Sequence, residues 1–390
     1  MILKDKLVNK IINFVFSGSF IINLVSFFIA RQSRKLSKIK THNYSHLFCI
    51  RPWTFLSIGE ANSYHTCCSS WMPISAGRIS QDPIKIWNSK NLQKIRKSIL
   101  DGSFSYCNER CPFLNQPDID PTSPVKLLSK IISDPEYNDI ITHKKLTTDK
   151  LPEIIHLNNE ISCQLSCPQC RPVVILNNNA KTREVEIASK LLPKAKILQL
   201  SGAGDPLASP SYRNFLQINQ SSDYPELGIY MITNGLLLKK YWHTLGLKDS
   251  FSAIQVSVDA TTKEVYEVIR RGGRWETLQE NLKFLADLKE KNVISQVHLS
   301  FVVQEKNWRQ MPDFIEMTRE FGFEVVIFQL IRTYLFYNKK SSVWHKNHPE
   351  HNEFVESLRN PIFNTKNPNI VLGDLLQFMP KQVEQLDIVE

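Results

Sequence analysis

The sequence has little excess of charge outside its first forty residues. The 390-residue chain has a formal net charge of +10, and residues 1–40 supply +7 of it, with eight Lys and Arg side chains against one acid, Asp5. Only +3 remains for the other 350 residues. A DNA- or RNA-binding surface needs concentrated positive charge to follow the phosphates. A nucleic-acid partner is therefore not expected.

The N-terminal segment also lacks the small-residue cleavage site of an exported signal peptide. It contains an uncharged stretch, Ile11–Ala30, which would be about 30 Å long as a helix and could cross a bilayer core. Five Asn and Ser side chains interrupt the stretch, so a helix packed on the protein body is the alternative. Five basic residues follow it and three precede it. This asymmetry predicts a cytoplasmic body, with or without attachment to the cytoplasmic face of the membrane.

The cysteines do not have the spacing of a disulfide framework. They are Cys49, Cys67, Cys68, Cys107, Cys111, Cys163, Cys167 and Cys170. In a long chain without an export signal, closely spaced cysteines indicate ligands of a metal or cluster. The pattern therefore predicts a reducing compartment.

Apolar runs and amphipathic segments alternate from residue 151 onward, as in repeated βα units around a parallel sheet. The predicted strands are 154–159, 196–201, 228–233, 252–258, 294–303 and 324–330. The predicted helices are 183–192, 210–218, 236–246, 262–270, 276–290 and 308–321. Six units are too few to close an eight-stranded barrel, so we predict an α/β fold with a partial (β/α)6 open TIM-like barrel at 151–335. Reactive groups of such barrels lie in the loops after the strands.

The rest of the chain divides into an N-terminal tail at 1–40, a small Cys-rich domain at 41–115, a linker at 116–150 and a C-terminal extension at 336–390. In the Cys-rich domain, apolar residues at helical spacing over 92–100 are followed by Gly102, which suits a left-handed helix cap. This helix would deliver Cys107 and Cys111. Four prolines between residues 112 and 124 disfavour regular structure and indicate the linker.

Three histidines of the C-terminal extension are spaced three residues apart, at His345, His348 and His351. Pro349 interrupts any helix that would align them on one face. A solvated extension is the better interpretation, and a metal site is the alternative.

The triplet Cys163, Cys167 and Cys170 has the spacing C-x3-C-x2-C directly after the first predicted strand. Three thiolates can hold three irons of a 4Fe-4S cluster, whereas a cluster that only transfers electrons normally has four ligands. The fourth iron would stay open to the amino and carboxylate groups of S-adenosylmethionine. Three structural cysteines, or three ligands of a zinc site, are the alternatives.

With this triplet and the segments after the next three strands, the sequence resembles the radical S-adenosylmethionine superfamily over most of residues 45–335. The resemblance implies an enzyme that cleaves S-adenosylmethionine reductively at the cluster, so that a 5′-deoxyadenosyl radical abstracts hydrogen from a substrate. It also implies a reducing electron donor such as a flavodoxin or ferredoxin. The segment IRRGGRWETLQENL at 269–282 is typical of members that modify peptides. A ribosomally made peptide is the expected substrate, and a small molecule is the alternative.

The resemblance also implies which residues bind the cofactor, although it names no catalytic residue. They are Gly204, Asp205, Asn234, Ser257 and Asp259. The first two belong to AGD at 203–205, in place of the family's Gly-Gly-Glu motif, and the third to TNG at 233–235, similar to the family's Thr-Asn-Gly turn. The last two end the fourth strand, where members place polar groups near the ribose, and strand alternation puts both on one face.

Three neighbouring positions receive no role in cofactor binding. Gln169 stands where many members have an aromatic residue, so an adenine contact is not assigned to it. Arg270 and Arg271 are in the last turn of a predicted helix, where basic residues are expected to interact with the helix dipole.

A second set of ligands is predicted at Cys49, Cys67 or Cys68, Cys107 and Cys111. The surrounding residues resemble the auxiliary-cluster domain called SPASM, or its shorter twitch form, which follows the barrel in the best-known members and precedes it here. The resemblance implies one auxiliary 4Fe-4S cluster. Members often have a glycine five residues before the second ligand, and Asn62, which tolerates a left-handed turn, favours Cys67. A structural zinc site is the alternative.

A function of another class stays open at this stage. A non-catalytic iron-sulfur protein, which carries electrons or senses redox state at the membrane, would use the same cysteines. It would not cleave S-adenosylmethionine.

Overall fold

The structure is a computed structural model. It describes residues 43–59, 63–68, 71–72, 74–108, 111–115, 117, 123–180, 182–201, 204–331, 342–363, 367 and 369–379. The predicted tail at 1–40 lies outside these residues. Within them, no helix is both long enough and apolar enough to cross a membrane.

The chain forms two compact units. The first contains the chain up to Asn159 together with Arg183–Leu198, and the second contains Glu160–Thr182 and the chain from Gln199 onward. The chain enters the second unit at Glu160, returns to the first at Arg183, and enters the second again within the strand Ile197–Leu200. The loop that carries the cysteine triplet belongs to the second unit.

The first unit combines short strands with short helices. Its strands are β1 (Leu47–Cys49), β2 (Phe55–Ile58), β3 (Ser63–His65), β4 (Gly77–Arg78), β5 (Val125–Leu127) and β6 (Ile154–Leu157). Its helices are α1 (Arg51–Thr54), α2 (Pro83–Trp87), α3 (Lys90–Leu100), α4 (Pro112–Asn115), α5 (Leu128–Ile131), α6 (Pro135–Thr142) and α7 (Arg183–Leu191). β2 pairs in parallel with β6 and antiparallel with β3, which pairs antiparallel with β4. β1 and β5 form a separate antiparallel pair.

Helix α3 ends at Leu100, and Gly102, two residues later, has a φ of 72°, as the predicted left-handed cap requires. The hydroxyl of Ser89 caps the opposite end. The helix also carries the fully buried Arg96, whose burial lowers its pKa to about 10. Its guanidinium donates to three acceptors in separate segments: the carbonyls of Pro52 and Leu146, and Asn88 Oδ1. Arg96 therefore joins α3 to the chain on both sides of it.

The segment 116–150, predicted as a linker, is part of the folded unit. Its described residues form β5, α5 and α6, and β5 pairs with β1. Val125 and Ile140 are buried in the same cluster as Phe48 and Trp53. The prolines that indicated a linker end at residue 124, so they precede these elements and do not prevent them.

The second unit is built on parallel strands. β7 (Ile197–Leu200) is the strand shared with the first unit, and the others are β8 (Gly228–Thr233), β9 (Phe251–Ser257), β10 (Gln296–Val303), β11 (Val325–Leu330) and β12 (Ile370–Val371). Its helices are α8 (Pro210–Ile218), α9 (Leu238–Tyr241), α10 (Lys263–Ile269), α11 (Trp275–Glu290), α12 (Met311–Glu320) and α13 (His351–Ser357). Each strand from β8 to β12 pairs in parallel with the next.

This arrangement confirms an α/β fold with a parallel sheet. All six predicted strands are present and agree with β6 to β11 to within two residues at either end. Helices lie between the strands in the chain, which is the connection that parallel strands require. The open six-unit barrel and the exact domain boundaries stay predictions.

The interpretation of the C-terminal extension as solvated is wrong for its described residues. Phe354, Leu358 and Leu375 are fully buried, and β12 extends the parallel sheet by pairing with β11. Of the three histidines, His348 is buried. The extension folds onto the unit because its apolar residues recur one helical turn apart, a pattern that the histidine spacing obscured.

Candidate cofactor and cluster sites

The cysteine triplet lies in a loop that is folded back on itself. The Cys163 N–H donates to the Ile175 carbonyl at 2.7 Å, and this bond joins the two ends of the segment 163–175. The N–H groups of Cys170 and Arg171 both donate to the Cys167 carbonyl at 2.9 Å, which forms a tight turn between the second and third cysteines. The thiols of Cys163 and Cys167 are buried and that of Cys170 is exposed. Solvent therefore reaches the triplet from one side.

The environment of the buried thiols favours protonation in the free protein. Burial raises the pKa of the Cys163 thiol to about 11, and the charge of Asp205 adds to the rise. Burial also raises the pKa of Cys167, although the charge of Arg270 opposes it. A bound metal or cluster would displace these protons, because thiolate is the ligand form of cysteine.

The glycine of the AGD segment is required by close packing. Ser162 and Gly204 run side by side: the Gly204 N–H donates to the Glu160 carbonyl at 3.0 Å, and the Asp205 N–H donates to the Ser162 carbonyl at 2.7 Å. A Cβ on Gly204 would lie 2.2 Å from the Ser162 carbonyl oxygen. Ala203 lies outside the described residues. The structure thus brings Gly204 and Asp205 against the loop of the triplet.

Asp205 joins the next loop to the same place. Its carboxylate accepts the Thr233 hydroxyl and the Asn234 N–H, both at 2.7 Å, and the Leu207 N–H at 3.0 Å. Burial raises the pKa of Asp205, and these hydrogen bonds oppose the rise. Asp205 therefore ties the loop after β7 to the loop after β8.

Asn234 completes the connection to the triplet. Its side-chain amide lies 3.7 Å from Cys163 Sγ, and its Oδ1 accepts Gln164 Nε2 at 2.9 Å. The turn is tight because Gly235 has a φ of 81°, and a Cβ there would lie 2.7 Å from Val256 Cγ1. Three of the predicted residues, Gly204, Asp205 and Asn234, are thus brought together around Cys163.

Ser257 and Asp259 do not share the environment that strand alternation predicts. β9 ends at Ser257, which is half-exposed, and Ser300 Oγ lies 3.4 Å from its hydroxyl. Asp259 is fully buried and has a φ of 68°. The left-handed backbone breaks the alternation and turns the Asp259 carboxylate toward the helix that follows.

The turned carboxylate meets an arginine that the sequence analysis assigned to the helix dipole. Asp259 Oδ2 lies 2.7 Å from a terminal nitrogen of Arg270; the Asp259 side chain is fully buried and that of Arg270 is largely buried. Burial lowers the pKa of Arg270, but the charges of Asp259 and Cys167 outweigh it and raise the pKa overall. Arg270 is therefore a charged group inside the site, whereas Arg271 is exposed and donates to the Ser166 and Pro172 carbonyls.

Glu160 is a further residue that the sequence analysis missed. One carboxylate oxygen accepts the N–H groups of Ile161 and Ser162 and the Ser162 hydroxyl, at 2.7–2.9 Å. The other accepts the Ser209 hydroxyl at 2.7 Å. The signal in the sequence is weak: a single acid three residues before the first cysteine, in a stretch that is otherwise uncharged.

Buried polar atoms without a partner in the described residues collect around this site. They include Gln164 Oε1, Gln169 Oε1, Tyr266 Oη and Arg270 Nε. Buried polar groups are almost always hydrogen-bonded, so these atoms are available to a polar group bound beside them. The donors and acceptors of these residues fit a polar cofactor beside the triplet.

The second cysteine set lies in the first unit, around Arg51. The guanidinium of Arg51 donates to Cys67 Sγ at 3.3 Å and lies about 5 Å above the rings of Phe55 and Phe113. Burial raises the pKa of Cys49 to about 12 and raises those of Cys107 and Cys111. Besides burial, the proximity of Cys49, Cys67 and Cys111 raises the pKa of Cys107, and the Cys68 thiol is exposed.

The cysteine side chains are not already arranged as ligands. In the part of the chain that the structure describes, no three His, Cys, Asp or Glu side chains are placed to hold one metal ion. This statement includes the histidines of the C-terminal extension.

Comparisons with known proteins place the chain among relatives. No protein-family model matches it. It is 22% identical over 203 residues to the mycofactocin maturase MftC of Mycobacterium tuberculosis, in strains CDC 1551 / Oshkosh and H37Rv. This match covers 50% of the chain and 48% of the maturase, so the chain spans about half the length of these curated relatives.

Solved structures with a similar arrangement were also found. One is SuiB of Streptococcus suis bound to S-adenosylmethionine, with a TM-score of 0.43, 14% identity and coverage of 60% of this chain and 52% of SuiB. Another is anSMEcpe with bound AdoMet, with a TM-score of 0.38, 17% identity and coverage of 56% of this chain and 63% of the other. The relationship to the maturase supports the resemblance of this chain to the radical S-adenosylmethionine superfamily.

Proposed function

We propose that this chain is a radical S-adenosylmethionine enzyme whose 4Fe-4S cluster is held by Cys163, Cys167 and Cys170. The observation that carries the proposal is the convergence of three successive loops on Cys163. Asp205 binds the turn that contains Asn234, and Asn234 reaches the Cys163 thiol. The relative that matches half of the chain is a maturase and therefore an enzyme.

When bound, the cluster and S-adenosylmethionine supply one-electron cleavage to methionine and a 5′-deoxyadenosyl radical, which takes a hydrogen atom from the substrate. The residues of the chain hold and orient these groups. Gly204 lets the backbone come close to the triplet loop, and the unpaired acceptors of Gln164 and Gln169 suit the donors of a polar cofactor. Ser257 ends β9 on the side where we place the nucleoside, whereas the Asp259 carboxylate faces Arg270 and would act on the cofactor only through that arginine.

The substrate we propose is a ribosomally made peptide, with a small molecule as the alternative. The proposal rests on the segment at 269–282, which is typical of peptide-modifying members, and on the name of the relative, a maturase of mycofactocin. The electron donor would be a flavodoxin or ferredoxin. We place the protein in the cytoplasm, with or without attachment to the cytoplasmic face of the membrane through residues 11–30.

We further propose a twitch-like domain in which Cys49, Cys67, Cys107 and Cys111 bind one auxiliary 4Fe-4S cluster. The mutual interaction of these four thiols supports the set, and the exposure of Cys68 supports Cys67 as the second ligand. Arg51 provides a positive charge beside Cys67 that would offset the negative charge of four thiolates. Zinc is the alternative metal.

The test is the production of 5′-deoxyadenosine. The protein, reconstituted with iron and sulfide without oxygen and reduced with dithionite, should release it from S-adenosylmethionine. Changing Cys163, Cys167 and Cys170 to Ala should reduce the yield at least 100-fold, and Cys68→Ala is the matched control that should keep it. If the fully loaded protein releases no 5′-deoxyadenosine, the enzyme proposal fails and a non-catalytic iron-sulfur protein is the better interpretation.

A further inference from the structure

Arg270 faces a carboxylate that projects from a left-handed turn of the backbone. Asp259 has a φ of 68°, in the left-handed region that Asp adopts more readily than most residues. Asn307 Nδ2 donates to the Asp259 carbonyl at 2.8 Å, and the Val302 N–H donates to its Oδ1 at 2.8 Å. The surroundings thus hold this residue in an unusual conformation, and the result is a buried carboxylate that faces Arg270.

Arg270 has more donors than the described residues use. One terminal nitrogen lies 2.7 Å from Asp259 Oδ2. The Ser166 N–H donates to the Arg271 carbonyl at 2.9 Å, which places Arg270 beside Cys167, and the charge of Arg270 opposes the rise in the pKa of the Cys167 thiol. Its Nε–H is buried without an acceptor in the described part of the chain. A buried cation with unused donors indicates that a further negative group belongs beside it.

We propose that Arg270 is a positioning residue that holds a fixed positive charge against the Cys167 ligand and makes the triplet cluster easier to reduce. This inference rests on the proposed function. A one-electron reduction adds a negative charge to the cluster, and a nearby cation stabilises the reduced form more than the oxidised form. The effect is large only where solvent is excluded, and Arg270 is 13% exposed and Asp259 fully buried.

Asp259 has the opposite effect on the potential. It anchors the guanidinium, but its own negative charge disfavours the extra electron. Removing the cation should therefore lower the midpoint potential, and removing the anion should raise it. A pair that only stabilised the fold would not give shifts of opposite sign.

The experiment is a redox titration of the reconstituted full-length protein. Its readout is the electron paramagnetic resonance signal of the triplet cluster, which is identified as the signal that the Cys163→Ala variant lacks. Arg270→Gln should shift the midpoint potential to more negative values and Asp259→Asn to more positive values, with the iron content of both variants unchanged. Arg274→Gln is the matched control, because Arg274 is an exposed cation four residues further along. It should titrate like the wild type.

If Arg270→Gln does not retain its cluster, Arg270→Lys keeps the charge and should restore both the cluster and a potential near that of the wild type. A Gln variant that titrates like the wild type, or a Lys variant as negative as the Gln variant, would overturn the inference while the proposed function stands. If the variant with all three triplet cysteines changed to Ala binds as much iron as the wild type, both the inference and the proposed function are wrong.

Discussion

Single residues of the candidate site are held by buried carboxylates that accept bonds from neutral donors. Glu160 accepts from N–H and hydroxyl groups of its own loop and from Ser209, and Asp205 accepts from Thr233 and Asn234. Charged acceptors form stronger hydrogen bonds than neutral ones. Both acids therefore fix loops in place. The Asp205 carboxylate could bind the methionine amino group only through lone pairs that these hydrogen bonds leave unused.

His156 in β6 predicts a dependence of stability on pH. Burial and the charge of Arg51 lower its pKa from 6.5 to about 4. Between pH 6.5 and pH 4 the His156 imidazole is therefore protonated in the unfolded chain and neutral in the folded chain. The free energy of unfolding falls as the pH decreases through this range. At pH 5 the loss relative to pH 7.5 should be about 2 kcal/mol.

Urea unfolding at the two pH values measures this loss. His156→Gln should remove about 2 kcal/mol of the difference between the two pH values. His243→Gln, at an exposed position, should leave the difference as it is. Equal acid sensitivity of the wild type and the His156 variant would contradict the assignment.

Secondary-structure elements explain why the C-terminal extension folds although its sequence looked solvated. In α13, Phe354 is fully buried and contacts the rings of Trp308 and Phe378 at centroid distances of 6.0 Å. Trp308 donates its indole N–H to Glu350 Oε2 at 3.0 Å, just before the helix begins. The helix is short, and its stability therefore comes from packing and not from its own hydrogen bonds.

This packing predicts the effect of one substitution. Phe354→Ala should lower the free energy of unfolding by about 3–5 kcal/mol, because it removes a buried aromatic side chain and leaves a cavity. Asn352→Ala on the exposed face of the same helix is the control and should change it by less than about 0.5 kcal/mol. Denaturant unfolding followed by tryptophan fluorescence compares the two. If the Phe354→Ala and Asn352→Ala variants have equal free energies of unfolding, the extension does not contribute to the stability of the fold.

The whole molecule separates its two cysteine sets between two compact units. Cys49, Cys67, Cys107 and Cys111 belong to the first unit, and the triplet belongs to the second. Each set is supported by its own arginine, Arg51 in the first unit and Arg270 in the second. The two sites should therefore be loaded independently.

Metal analysis of whole-chain variants tests this independence. The variant with Cys163, Cys167 and Cys170 changed to Ala should retain about four irons and an equal amount of sulfide per chain. Changing Cys107 and Cys111 to Ala instead should remove the auxiliary iron and leave the triplet cluster. Zinc without sulfide in the triplet variant would exclude the auxiliary cluster and establish the alternative metal.

The sequence was sufficient to predict the parallel strands and the grouping of Gly204, Asp205 and Asn234 near the triplet. Buried strands are continuous apolar runs, and loops after parallel strands meet at one edge of a sheet. Arg270 and Glu160 were not predictable in the same way. Their roles depend on burial by residues distant in the chain, and a basic residue in a last helical turn has an adequate local explanation.

The bonds of Asp205 have a consequence for cluster assembly. They join protein groups only, so the three loops around Cys163 are held together before any iron arrives. In the enzyme that we propose, the cluster would then be inserted from the side of the exposed Cys170 after folding is complete. Oxygen would reach the cluster through the same opening. If oxidation destroyed the cluster, the protein would stay folded and could bind a new cluster.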